Sequence, residues 1–186
     1  MRKLVVYTLM SLDGAVDDPT LYFAGSRPDA APEFDAVMIE NEARIIGAQD
    51  AVLMGRGMYD EWSQYWPPSD EQPFADFINS AKKYVVTSTP LSNTWHNAQV
   101  LERPLDDAVR RLKAEPGRDI GVHGSIQLAQ SLLQAGLVDE LQLVVSPAFG
   151  FPGRRLFERA HHSLGLQLLS ATPTPTGSLL LAYRLP

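Results

Sequence analysis

Asp50-Ala51-Val52-Leu53-Met54-Gly55-Arg56-Gly57 decides the fold class. The apolar run after Asp50 predicts a short buried strand, and Gly55 cuts it off. Upstream, Phe34, Met38, Ala43, Ile45 and Ile46 recur among charged residues at approximate helical spacing, which predicts an amphipathic helix ending near Gly47. Downstream, any helix begins near Met58. A second junction of the same kind is Gly121-Val122-His123-Gly124-Ser125, where the strand Asp119–Val122 enters a helix bearing Leu128, Ala129, Leu132 and Leu133. Ser125 is placed to cap that helix and Gly136 to stop it. Strands that halt at glycine and give way to helices imply an α/β domain.

Working outward, Leu4 through Leu9 favours a strand, so the N-terminus reads as the first strand, since no apolar run approaches the roughly 20 residues of a spanning helix. The segment from Gly25 to Pro32 reads as loop and Pro67-Pro68 as a turn. Phe74, Phe77, Ile78 and Ala81 predict a helix ahead of the strand Lys83–Thr87, and Gln99–Leu101 is a further short strand. Leu105, Ala108, Val109 and Leu112 form the stripe of another helix, closed by Pro116-Gly117. The last third changes period. Leu141, Leu143 and Val145 alternate with Gln142, Val144 and Ser146, Leu164, Leu166 and Leu168 repeat the spacing, and Ser178–Tyr183 is the final strand. The expected sheet is mixed, mostly parallel, with an antiparallel C-terminal portion.

Composition narrows the function. A chain of 186 residues supports one substantial core, and no repeat or composition shift marks a second domain, so residues 1–186 read as a single unit. Sixteen Lys and Arg against 22 Asp and Glu leave a net charge of -6, which argues against a nucleic-acid surface. With no cysteine there is no disulfide, Cys-ligated metal or thiol nucleophile, and a reducing cytoplasm is compatible. His161 and His162 adjoin Glu158 but lack HExxH spacing, so no metal site is expected.

The candidate chemistry sits at strand ends. Asp13, in Ser11-Leu12-Asp13-Gly14, either caps a turn or presents a carboxylate to a heterocycle, acting as an acid if burial raises its pKa. Gly55 and Arg56 form either a tight turn with an exposed cation or a phosphate contact. Gly124 and Ser125 read as a capped helix or a second anion cradle. Thr87 and Ser88, in Thr87-Ser88-Thr89-Pro90, offer hydroxyls to ribose or to their own turn. Gly150 and Gly153 punctuate a late flexible loop with Arg154 and Arg155. Trp62, Tyr65 and Trp66 serve a planar ligand or packing.

Read together, these positions resemble the dihydrofolate-reductase-like family that includes the reductase domain of bacterial riboflavin biosynthesis. The resemblance runs almost end to end. It rests on Ser11–Gly14, Leu53-Met54-Gly55-Arg56-Gly57-Met58-Tyr59, Lys83–Thr89, Gly124-Ser125, Gly136-Leu137-Val138-Asp139-Glu140-Leu141 and Pro147–Phe157. It implies a three-layer α/β/α domain, a homodimer, and reduction of a small heterocyclic substrate by NADPH, with NADH possible. It further implies Gly55 and Arg56 near the cofactor phosphates, Thr87 and Ser88 near the adenosine ribose, and Gly124 and Ser125 at the pyrophosphate. Asp13 faces the substrate, and Gly150 and Gly153 close the rim. Thr89 stands where many relatives carry a basic residue, which weakens selection for the 2'-phosphate of NADPH. Ser125 replaces the second glycine of a frequent pair. The alternative is a non-catalytic nucleotide-binding or ligand-sensing homodimer.

Overall fold

The computed structural model describes residues 1–24, 33–91, 93–101, 104–158 and 163–186. The loop reading for Gly25 to Pro32 and the His161–His162 pair fall outside those residues. In chain order the elements are β1 (Leu4–Ser11), α1 (Pro19–Phe23), α2 (Ala36–Gly47), β2 (Gln49–Gly55), α3 (Arg56–Tyr65), α4 (Phe74–Ser80) and β3 (Lys82–Val86). There follow β4 (Ala98–Leu101), α5 (Leu105–Ala114), β5 (Asp119–His123), α6 (Ile126–Gln134), β6 (Glu140–Ser146), β7 (Gln167–Pro173) and β8 (Leu179–Arg184).

One eight-stranded sheet runs β4-β3-β2-β5-β1-β6-β8-β7. The strands from β4 to β6 pair in parallel, and β8 runs antiparallel to both β6 and β7. Ala108, Val109 and Leu112 of α5 and Leu128, Ala129 and Leu132 of α6 cover one face, over Leu4, Val6, Leu53, Ile120 and Leu141. The other face is covered by Ile46 of α2, Tyr59 of α3 and Ile78 of α4, over Val52, Met54 and Val85. Tyr22 and Phe23 of α1, with Met38 and Ile45, extend that layer over Tyr7, Val144 and Leu180. The result is the expected three-layer domain.

Local departures have physical reasons. Helix α3 begins at Arg56 rather than near Met58, because Gly55 takes the extended N-cap position and Gly57 continues the helix. The alternation in β6 does not mark an exposed face: all seven of its residues are buried, Gln142 included. A strand between β1 and β8 with helices on both sides has no solvent face. Strand β7 starts at Gln167, so Leu164 and Leu166 precede it. Helix α1 was not anticipated, although Asp18 accepts from Thr20 N and Pro19 opens the first turn, a legible start signal.

Lys83 is the most unusual core residue, fully buried at 0% exposure. Its Nζ donates to the carbonyls of Ile78 (2.7 Å), Asn79 (3.3 Å) and Ala81 (2.7 Å), and it lies 4.5 Å from the Trp95 ring centroid. Burial lowers its pKa to about 8, so it stays protonated at pH 7 and closes the C-terminal end of α4. Lys83→Met keeps the length but strands those carbonyls. We expect a loss of about 2–4 kcal/mol, read from the urea midpoint.

Candidate functional site

Strand order creates the site. β2 hands the chain outward to β3, whereas β5 hands it across β1 to β6. The two connections leave in opposite directions, so a crevice opens at the carboxyl ends of β2 and β5. A cleft of about 910 Å³ lies there, lined by Gly55, Arg56, Thr87, Ser88, Gly124 and Ser125 among others. Six of the anticipated residues, from three separated strand ends, thus meet in one cavity.

The Gly55 N–H donates to Ser125 Oγ over 3.0 Å, tying the two strand ends together. This corrects the capping expectation: Ser125 occupies the N-cap position of α6, but its hydroxyl serves β2 rather than its own helix. No side chain caps α3 either. Two first turns of backbone N–H groups therefore sit side by side without side-chain acceptors, a pattern suited to two linked phosphates. Gly124 has φ +67°, and a Cβ there would lie 2.8 Å from Met58 Cε and 3.3 Å from Trp62 Cζ2. Only glycine fits that approach without strain.

Arg56 lines the cleft with its guanidinium already engaged. Nε donates to both Asp60 oxygens at 2.8 Å, and Nη1 donates to Thr89 Oγ1 (2.8 Å) and Pro90 O (2.7 Å). The arginine thereby ties α3 to the turn after β3. The Thr87 hydroxyl accepts from Thr89 N (3.1 Å) within its own turn, leaving Ser88 exposed on the rim.

Asp13, Gly150 and Gly153 gather apart from that lining. Asp13 accepts from Ser11 Oγ (2.6 Å), Gly150 N (3.2 Å) and Arg155 Nη2 (3.1 Å). The Ser11 hydrogen bond, then the Gly150 N–H and the Arg155 charge, hold its carboxyl below the usual range. Asp13 is thus an ionised, exposed group, and the condition for an acid role, a pKa raised by burial, is not met. The late loop is pinned rather than flexible. Leu12 N donates to Ala148 O (2.7 Å), Val16 N to Arg154 O (3.1 Å) and Leu156 N to Gly14 O (3.2 Å). Arg154, itself on the cleft lining, is held by Asp17 through its N (2.7 Å) and Nε (2.6 Å). A Cβ on Gly153 would press to 2.5 Å from Asp17 Oδ2.

Sequence reasoning missed a charge-coupled pair, Glu42 and Tyr7, outside the lining of that cleft. Glu42 falls on the buried stripe of α2 with Met38, Ile45 and Ile46, and burial, aided by the charge of Glu71, pushes its carboxyl up to about 7. Tyr7 is 7% exposed, and burial and then the charge of Glu42 push its phenol up. No hydrogen bond joins either side chain to a described group. The signal was a glutamate amid an apolar stripe. Tyr7 stands beside His123 in register with ring centroids 5.6 Å apart, and a chain of rings leads from His123 through Phe74 to Trp62, at the edge of Gly124. Trp62 and Trp66 pack against the core below α3, whereas Tyr65 is half exposed.

The model of the RibD C-terminal domain matches residues 2–180. The chain belongs to this family. Over 138 residues this RibD-type domain is 29% identical to the uncharacterized protein YyaP of Bacillus subtilis, covering 72% of the chain and 73% of the relative. Its fold is similar to that of a putative riboflavin biosynthesis protein from Shewanella sp. PV-4, with TM-score 0.75, 19% identity and 99% of each chain covered. It is also similar to a Thermotoga maritima diaminohydroxyphosphoribosylaminopyrimidine deaminase/5-amino-6-(5-phosphoribosylamino)uracil reductase, with TM-score 0.67 and 14% identity. There the RibD-type domain is covered completely but spans only 57% of the other chain. The dihydrofolate-reductase-like relationship expected from the motifs therefore holds. Among the described residues no helix is long and apolar enough to cross a membrane, and no group of three or more His, Asp or Glu is placed to hold a metal.

Proposed function

We propose that this domain is an NAD(P)H-dependent reductase of a small heterocyclic substrate, working as a homodimer in the cytoplasm. One observation carries the reading: two helix N-termini without side-chain caps, on adjacent strands, bridged by the Gly55–Ser125 hydrogen bond. Gly55 and Arg56 would hold one phosphate, Gly124 and Ser125 the other, and Thr87 and Ser88 the adenosine ribose. The bound dinucleotide supplies a hydride.

The chain's own groups do the rest. Asp13, kept ionised, orients donor groups of the substrate, while Gly150 and Gly153 shape the segment that places Arg154 on the rim. Glu42, whose carboxyl burial pushes up to about 7, holds a proton near neutral pH outside the cleft lining. The name of the Thermotoga relative, a substituted-uracil reductase, supports a pyrimidine-like substrate.

Titration with NADPH and with NADH, followed by nicotinamide fluorescence, tests the site first. At least one is expected to bind, and Gly124→Ala to weaken it about tenfold, because φ +67° strains any side chain by about 1–2 kcal/mol. With Arg56 engaged by Asp60, the two nucleotides are expected to bind within about tenfold of each other. If neither binds, the reading fails. An acceptor screen watching loss of reduced-nicotinamide absorbance then separates a reductase from a nucleotide sensor.

A further inference from the structure

Charge inside the cleft is arranged against a third phosphate. Among the described residues the lining carries three charged side chains, Arg56, Glu61 and Arg154. Each arginine comes with its own carboxylate. Arg56 Nε lies 2.8 Å from both Asp60 oxygens, and Arg154 Nε lies 2.6 Å from Asp17 Oδ1. Glu61 is exposed and forms no ion pair with a described residue. Two cations therefore stand against three carboxylates, and the surplus is negative.

The surplus sits on the helix that lines the cleft beside the turn after β3. Glu61 lies one helical turn beyond Gly57, itself part of the lining, and α3 holds no Lys or Arg after Arg56. The turn Thr87-Ser88-Thr89-Pro90 adds hydroxyls and no charge. Thr87 is buried, Ser88 is exposed, and Thr89 Oγ1 already accepts from Arg56 Nη1 at 2.8 Å.

The N–H groups that open α3 and α6 suit two linked phosphates. A further phosphate on the ribose carries about -1.5 to -2 charge near neutral pH, and it needs a cation in place of its water. In this cleft it meets arginines already paired and a carboxylate of its own sign, which penalises the wrong ligand. An unmodified ribose has the opposite preference. Its hydroxyls donate to a carboxylate, the general means of selecting a dinucleotide without the 2'-phosphate.

We infer that the cleft prefers NADH to NADPH and that Glu61 sets the preference. This rests on the reading of the cleft as a dinucleotide site and names which of the two nucleotides that site takes. Because Glu61 is exposed, water screens its charge, and the preference stays within the tenfold range expected for the two nucleotides.

Fluorescence titration of the full chain with each nucleotide gives the ratio of the two dissociation constants. A purely structural role for Glu61 would weaken both nucleotides alike and leave that ratio unchanged. The wild type is expected to bind NADH about fivefold more tightly at low ionic strength, with the ratio shrinking as salt is added. Glu61→Gln is expected to bring the ratio to about one, and Glu61→Lys to turn it to about fivefold in favour of NADPH. Asp70→Lys makes the same change of charge on an exposed residue off the lining and is expected to leave the ratio as it was. Circular dichroism melts check that each variant folds. Tighter binding of NADPH by the wild type overturns the inference. So does a ratio that Glu61→Lys leaves unmoved, or one that Asp70→Lys shifts equally. In those cases the dinucleotide reading stands. Binding of neither nucleotide removes that reading and the preference with it.

Discussion

Replacing Gly121 by alanine is expected to destabilise the domain by about 3–5 kcal/mol, read from urea unfolding. Gly121 sits in β5, where a Cβ would lie 2.1 Å from Gln49 Oε1 and 2.5 Å from His123 Nε2. Those atoms are 2.8 Å apart in the hydrogen bond that joins the two side chains, and both residues are buried, at 1% and 3%. Among the described residues, Gln49 Nε2 and His123 Nδ1 already lack a partner. An added methyl therefore separates the pair and leaves two more buried polar atoms unsatisfied, at about 1–3 kcal/mol each. Neither side chain has an easy retreat, because the Phe74 and Phe77 rings lie 5.3 and 5.8 Å from the His123 ring. Gly47→Ala is the control. Nothing lies within 4 Å of its Cβ position, so its effect should stay within about 0.5 kcal/mol. Equal responses at the two glycines would show that the polar pair under β5 does not constrain the fold.

The junctions that build the cleft were legible because they are local. Gly55 and Gly124 end strands in a pattern that needs little more than apolar runs and backbone freedom, and both line the cavity as expected. What escaped was decided across the sheet. Ser125 has a plausible duty one turn away in its own helix, yet it bonds Gly55, which is 70 positions distant in sequence. Arg56 reads from sequence as an exposed cation or a phosphate contact, but the turn after β3 folds back to engage it. The alternation of β6 would fit a half-exposed strand, and only strand order shows that both its faces are covered. Conversely, the alternation of β7 is real while its apolar side lies open. Period alone reports which residues share a face, not what lies against it.

The pH dependence of stability is expected to look flat in the wild type because a buried group and a half-buried one oppose each other. Burial lowers the pKa of His123 to about 3, while an unfolded histidine titrates near 6.5. Between those values the unfolded chain holds the extra proton, so this contribution is full above about pH 6.5 and is lost as pH falls. Glu42 works in the other direction. Its folded pKa is raised to about 7 from the ordinary 4.5, so the folded chain holds the extra proton between them. That contribution is present at low pH and is lost as pH rises towards 7. Between about pH 4.5 and 6.5 the slopes cancel, each at most about 1.4 kcal/mol per pH unit. The lowered carboxyl of Asp35, at about 2, acts only below this window, and the lowered amine of Lys83 acts above it. Glu42→Gln should therefore expose the histidine, with stability falling as the buffer is taken from pH 6.5 to 4.5. The double variant His123→Leu/Gln49→Leu removes both members of the polar pair, avoiding a new orphan, and should show stability rising over the same interval. Urea midpoints at several pH values distinguish these slopes. Parallel curves for the wild type and both variants would mean that neither group changes its proton affinity on folding, and the proton-holding role given to Glu42 would fall with them.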